Sequence, residues 1–148
     1  DEKIKIGKSK IIQEGKKLAI LNFGARLNET LKASENLKKR GVKITIVDAR
    51  FAKPLDENLI WQLATTHEAI ITIEEGSIGG FGSHVVDFLT KKGLMDSNLK
   101  FRSLTLPDLF IDQDTPDNMY KIANLDSSSI EEKVLDVLNS NIVLQKQK

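Results

Sequence analysis

The chain lacks cysteine altogether and contains two histidines, His67 and His84. Without cysteine there are no disulfides, no thiolate metal ligands and no cysteine nucleophile. The two histidines stand 17 positions apart with a predicted strand between them, which is not a spacing typical of metal ligands. The sequence therefore predicts no metal site and no catalytic residue of a recognised type.

Each histidine has a simpler interpretation at a helix end. His67 is expected to end a helix, where the dipole favours the charged imidazolium. His84 is expected to open the next helix, where the dipole disfavours charge and a loop or interface contact is plausible.

The chain also lacks an excess of charge of either sign. It has 22 lysines and arginines against 21 aspartates and glutamates, and the basic residues are scattered along it. This balance argues against nucleic acid and membrane surfaces as partners. A chain of this length can bury roughly 70% of its unfolded surface in a single core without disulfides.

Long apolar runs are missing as well. No run approaches the roughly 20 residues of a membrane span, and the first residues contain no signal-peptide core, so we expect a cytoplasmic protein. Residue 1 is aspartate rather than methionine, which suggests a cut inside a longer polypeptide.

What the sequence does contain is an alternation of buried-strand and amphipathic-helix patterns. The predicted strands cover residues 18–23, 43–48, 69–73 and 99–106, with a short additional strand around residues 11–12. The predicted helices begin near Asn28, after Asp56, after the glycine turn that precedes Val85, and at a capping box formed by Ser128 and Glu131. Gly41 and Gly93 are predicted to end the first and third of them.

This alternation predicts an α/β fold, a three-layer α/β/α sandwich around a mostly parallel sheet of about five strands. Residues 1–17 are interpreted as the end of an interdomain linker with a possible short first strand. Residues 18–140 form the predicted domain, and residues 141–148 a frayed tail.

The glycine-rich stretch after the third strand is the first candidate site. Glu74 and Glu75 precede it, and consecutive strand residues point to opposite faces, so they are not a converging acid–base pair. One of them could face a site, or each could be a solvated or capping carboxylate. Gly80 and Gly82 match the start of a dinucleotide fingerprint, but Val85 stands where its third glycine should be.

The segment with the sequence DARFAKPLD, residues 48–56, is the second candidate and is called the 48–56 segment below. Arg50 could bind a carboxylate, Phe51 could anchor a contact and Pro54 fixes the exit of the chain, so a domain or subunit interface and a simple surface loop are equally supported. Trp61, off the apolar face of its helix, marks either a contact surface or ordinary core. The candidate interface or site-supporting residues are Arg50, Phe51, Lys53, Pro54, Asp56, Glu74, Glu75, Gly79, Gly80, Gly82 and His84.

Five motifs in order resemble the C-terminal domain of the 1-deoxy-D-xylulose-5-phosphate synthase family, whose members are transketolase-like enzymes. They are LNFG at residues 21–24, the 48–56 segment, TIEEG at 72–76, GGFGS at 79–83 and LPDLFI at 106–111. The turn at residues 112–114 departs from the family by lacking its usual glycine, and Asn124 replaces another glycine.

The resemblance implies a three-domain parent that condenses pyruvate with glyceraldehyde 3-phosphate and releases carbon dioxide. Thiamin diphosphate and Mg²⁺ would be bound by the N-terminal and middle domains of the same polypeptide, and the parent would be a homodimer. No catalytic, cofactor-binding or metal residue is carried over to this domain. The alternatives are the same domain of a transketolase or of a 2-oxoacid dehydrogenase β subunit, and a free-standing module that binds an anion at the glycine loop.

Overall fold

The computed structural model describes residues 3–75, 80–106 and 116–146, and within the last range the side chains of 117, 121 and 126–139. The strands are β1 (Lys10–Gln13), β2 (Leu18–Phe23), β3 (Thr45–Asp48), β4 (Ala69–Glu75) and β5 (Lys100–Leu106). The helices are α1 (Leu27–Lys39), α2 (Glu57–Thr66), α3 (Phe81–Lys91) and α4 (Pro116–Lys146), with a 3-10 turn at Leu94–Asp96.

The strands form one sheet in the order β1-β3-β2-β4-β5. β1 pairs antiparallel with β3, and the other neighbours are parallel. β2 and β4 lie at the centre and read as nearly continuous apolar runs because helices cover both of their faces. The predicted five-strand, mostly parallel sheet is confirmed.

The helices cover the two faces of the sheet and enclose two separate cores. On one face α1 and α4 contribute Leu37 and Val134, and on the other α2 and α3 contribute Leu63 and Phe88. These apolar stripes recur at helical spacing, so each helix buries one side against the sheet. The three-layer sandwich predicted from the alternation is confirmed.

Most helix ends lie where the sequence placed them. Gly41 has a φ of +79° and closes α1 with two bonds, Val42 N to Leu37 O at 2.9 Å and Gly41 N to Lys38 O at 3.0 Å. This is the Schellman arrangement, which favours glycine at that position. The start of α1 differs: the N-cap is Arg26, so the cap predicted at Asn28 is wrong.

The last helix differs most from the prediction. α4 already begins at Pro116 and passes through Ser128 and Glu131, so the capping box predicted there is wrong. A serine and a glutamate three residues apart also share one face inside a helix, and Ser128 is exposed on α4, so the pattern alone cannot separate a start from an interior turn. None of the helices in the described ranges is long and apolar enough to cross a membrane.

Candidate functional site

The carboxyl ends of β2 and β4 form the place where open α/β sheets usually bind ligands. The chain leaves β2 toward β3 on one side and later returns to β4 on the other, so these adjacent parallel strands flank a topological switch point. β4 continues through Glu74 and Glu75, beyond the predicted end at residue 73. Both side chains are buried, at 4% and 8% exposure.

The two glutamates accept backbone hydrogen bonds on opposite faces of the sheet. Glu74 Oε2 accepts from Gly82 N at 2.7 Å, in the first turn of α3. Glu75 Oε1 accepts from Ala25 N at 3.3 Å, just ahead of α1. Glu74 is therefore a buried cap of α3, whereas Glu75 is a buried carboxylate that binds the turn before α1. Neither is a solvated group, and the two do not converge on one ligand. Both carboxylates place negative charge near the start of a helix, where a bound anion would otherwise be favoured.

The glycines beside this edge serve two different local needs. Gly80 is the N-cap of α3 and has a φ of +103°, a conformation that other residues rarely adopt. A Cβ on Gly82 would lie 2.6 Å from Ser103 Oγ and 2.8 Å from Thr72 Oγ1, so α3 packs directly on the sheet there. The close approach that Gly82 permits is to the domain's own strands. Gly79 lies outside the described residues.

His84 and His67 lie at helix ends, as predicted, in different surroundings. The half-buried His84 donates its backbone N–H to Gly80 O at 3.0 Å in the first turn of α3. The ring of His67 has Nε2 2.8 Å from Thr45 Oγ1 and Nδ1 3.1 Å from Leu63 O. Burial lowers the pKa of His67 and outweighs the opposing effect of the Leu63 carbonyl, so the expected preference for the charged form is wrong.

The 48–56 segment begins with a tight, strained turn. Phe51 N donates to Ala49 O at 2.7 Å, and Arg50 between them has a φ of +63°. That combination is a γ-turn of the rare kind, which is costly for a residue with a Cβ. Arg50 Nε lies 3.9 Å from Asp48 Oδ2, and both side chains are partly exposed. Residues held in strain of this kind occur preferentially at functional sites.

The far end of the 48–56 segment is tied to the residues that precede β1. Asp56 Oδ1 accepts from Leu59 N at 3.3 Å, which confirms the predicted cap of α2, and Oδ2 accepts from Ser9 N at 2.8 Å. A Cβ on Gly7 would lie 2.9 Å from Pro54 Cγ. One buried carboxylate thus joins the incoming chain to the start of a helix. Phe51 is half-buried, whereas Lys53 and Pro54 are exposed on the outside of this junction.

A buried polar cluster near the same edge was not predicted. Arg26 pairs with Asp126 of α4 and lies 3.5 Å from Glu29 Oε1, and Thr30 Oγ1 donates to Asn22 Oδ1 at 2.8 Å. All five residues are buried. The apolar pattern of α1 gives no sign of it, because Asp126 is distant in sequence and buried charges require partners that a local pattern does not reveal.

Two comparisons with known proteins bear on this arrangement. The chain matches the family described as "Transketolase, C-terminal domain" over residues 7–130. It is also similar to a solved structure described as "Split gene transketolase, inactive beta4 tetramer", with a TM-score of 0.65 and 23% identity. That similarity covers 88% of this chain and 44% of the other, so this chain spans less than half of the solved protein. At that identity the likeness establishes the fold.

Proposed function

We propose that this chain, which belongs to the transketolase C-terminal domain family, is the C-terminal domain of a 1-deoxy-D-xylulose-5-phosphate synthase. The parent enzyme would condense pyruvate with glyceraldehyde 3-phosphate and release carbon dioxide. The specific assignment is supported by the combination of the 48–56 segment with the Glu-Glu-Gly and Gly-Gly-Phe-Gly-Ser motifs. We propose that this domain acts through packing and dimer assembly rather than through chemistry.

The main observation in favour of a structural role is that Glu74 and Glu75 are buried at the sheet's carboxyl edge and are hydrogen-bonded within the domain. Their carboxylates already bind the amides of Gly82 and Ala25. In the described ranges, no three histidine, aspartate or glutamate side chains are grouped so as to hold a metal ion. These residues do not fit a diphosphate bound through Mg²⁺, and we assign thiamin diphosphate and Mg²⁺ to the N-terminal and middle domains of the parent.

A second candidate is the same domain of another transketolase-like enzyme. The solved neighbour is described as a transketolase made from split genes, and its description names a tetramer. That observation favours an oligomeric parent. It does not distinguish the substrates of the synthase from those of a transketolase. A free-standing module that binds an anion at the glycine loop has less support, because the buried carboxylate of Glu74 already accepts from Gly82 N and places negative charge at the start of α3.

The deciding experiment is to isolate from source cells, with an antibody against this chain, the polypeptide that carries it. We expect a mass well above 16.5 kDa and formation of deoxyxylulose phosphate from pyruvate and glyceraldehyde 3-phosphate. Ketol transfer from a ketose phosphate without use of pyruvate would identify a transketolase instead. A polypeptide of 16.5 kDa with neither activity would contradict both assignments.

The assembly role can be tested separately at Arg50. If this strained, partly exposed residue serves an interface, Arg50→Ala should weaken dimerisation of the parent, measured by light scattering, and leave the melting temperature of this domain nearly unchanged. Arg50→Gly should weaken dimerisation equally while raising the melting temperature, because glycine adopts the positive φ without a steric cost. A lower melting temperature for both variants would make Arg50 a folding residue.

A further inference from the structure

A cavity of about 850 Å³ lies at the amino edge of the sheet, opposite the edge where Glu74 and Glu75 are buried. Its rim is formed by the turns that lead into β2, β3 and β4, which start at the same edge because they are parallel. The charged residues of the rim are Glu14, Lys16, Lys17, Lys43 and Glu68. The volume is within the range of about 300–1,000 Å³ that small-molecule pockets occupy.

The first part of the rim is held rigidly by backbone contacts. Gly15 N donates to Thr45 Oγ1 at 3.0 Å, and Lys16 N donates to Lys43 O at 2.9 Å. A Cβ on Gly15 would lie 2.3 Å from the carbonyl carbon of Ile44, so the two turns touch backbone to backbone. The lysines of both turns therefore project from fixed positions.

Lys17 is held in an unusual backbone conformation at the centre of this rim. Its φ is +67°, and Leu18 N donates across it to Lys16 O at 2.8 Å, the same strained γ-turn as at Arg50. Its carbonyl accepts from both Glu68 N at 2.6 Å and Ala69 N at 3.1 Å, which locks the turn in place. Strain of this kind persists where the surroundings determine the conformation, often at ligand sites.

The side chains around the cavity leave positive charge available to a ligand. The exposed Lys38 and Lys91 each pair with an acid on their own helix, Lys91 with Asp87 at 2.9 Å. Within the described part of the chain, by contrast, Lys16, Lys17 and Lys43 form no salt bridge, although two glutamates share their rim. The partly buried Val42 and Leu138 add an apolar wall.

From this arrangement we propose that the amino-edge cavity binds a small organic anion, a carboxylate or phosphate monoester carried on an apolar body. Three lysines against two glutamates leave a net charge of about +1 on the rim, which suits one carboxylate, or one phosphate monoester of about −1.5 to −2 at pH 7, better than a polyphosphate. The apolar body would lie against Val42 and Leu138. The competing explanation is that these lysines offset the negative ends of helices such as α1 that finish near this edge.

Titration of the chain with phenyl phosphate, followed by amide NMR and calorimetry, tests the proposal. We expect saturable binding with a dissociation constant below about 1 mM and shifts centred on the amides of Gly15, Lys17 and Lys43. The variant Lys17→Glu/Lys43→Glu should bind at least about 10-fold more weakly. The control Lys5→Glu/Lys8→Glu makes the same change of net charge at the opposite edge of the sheet, because these exposed lysines precede β1, whose Lys10 pairs with Asp48 at the carboxyl end of β3. It should bind as the parent chain does.

A third variant separates a ligand site from a stabilising turn. Lys17→Gly relieves the positive φ, so it should raise the melting temperature while weakening phenyl phosphate binding. Absence of saturable binding up to about 10 mM would overturn the proposal, as would equal weakening in the Lys5→Glu/Lys8→Glu control or shifts centred elsewhere. Unchanged affinity in Lys17→Glu/Lys43→Glu would overturn it too.

Discussion

The carboxylate of Glu74 offers the sharpest test of how the sheet's carboxyl edge is built. It is buried, it accepts from Gly82 N at 2.7 Å, and it lies at the positive end of α3. Glu74→Ala removes the carboxylate and leaves the backbone N–H of Gly82 without its acceptor. Glu74→Gln keeps one acceptor oxygen and removes the charge, replacing the other oxygen with an NH2 group. The pair of variants therefore separates the hydrogen bond from the charge.

The expected size of each effect follows from these contacts. A buried donor left without its partner costs about 1–3 kcal/mol, and a charge at a partly buried helix end contributes up to about 2 kcal/mol. The carboxylate incurs a desolvation cost of its own, so the net loss is smaller than the sum of these terms. We expect Glu74→Ala to lower the free energy of unfolding by about 2–4 kcal/mol and Glu74→Gln by about 1 kcal/mol.

Urea unfolding followed by circular dichroism measures both values, and for a chain of this length about 2 kcal/mol corresponds to a fall of about 4–8 °C in melting temperature. Glu57→Gln is the matched control, since Glu57 is an exposed acid in the first turn of α2 and should cost less than about 0.5 kcal/mol. If Glu74→Ala unfolds within about 0.5 kcal/mol of the parent chain, the carboxylate does not support α3 and the capping argument fails.

Two further predictions concern other contacts of the same fold. Gly82→Ala should lower the free energy of unfolding by about 1–3 kcal/mol through overpacking. Adding Ser103→Ala should recover part of that loss, because it removes the Oγ atom 2.6 Å from the new Cβ; a double variant as unstable as Gly82→Ala in urea would contradict this. The pKa of His67 in the folded chain lies below its ordinary 6.5, so His67 takes up a proton less readily in the folded chain than in the unfolded one. The stability that the chain has above pH 6.5 should therefore fall as the pH drops below 6.5. The melting temperature should therefore drop more between pH 7.5 and pH 5.5 for the parent chain than for His67→Gln. Equal drops in the two chains would show that His67 is not responsible.

The central part of the fold could be predicted because its signals are local. β2 and β4 are continuous apolar runs, and α1 ends at Gly41, where the backbone needs a positive φ. These features depend on neighbouring residues in the sequence, so propensity and spacing were enough. The end of β4 was placed too early because Glu74 and Glu75 look like residues of a turn. Their partners, Gly82 and Ala25, come from other elements and cannot be read from the strand itself.

The contacts across the sheet were beyond prediction for a related reason. Arg26 at the start of α1 looks like an exposed cation, and its burial depends on Asp126 of α4, which pairs with it from a distant part of the chain. The strained turn at Arg50 likewise gave no sequence signal, since arginine has no preference for a positive φ. Tertiary packing determines both conformations, and a single sequence carries no direct record of it.

The two edges of the sheet differ in a way that bears on how this fold is used. In open α/β sheets the carboxyl edge is the usual ligand site because helix amino ends and loose turns meet there. Here Glu74 and Glu75 bind amides at the starts of α3 and α1, which leaves less positive potential for an external anion. At the amino edge, Lys16, Lys17 and Lys43 surround a cavity without pairing among the described residues. We therefore propose that a ligand of this domain be sought at the amino edge, and that the carboxyl edge, where two buried carboxylates already bind amides of the domain itself, packs against other domains of the parent.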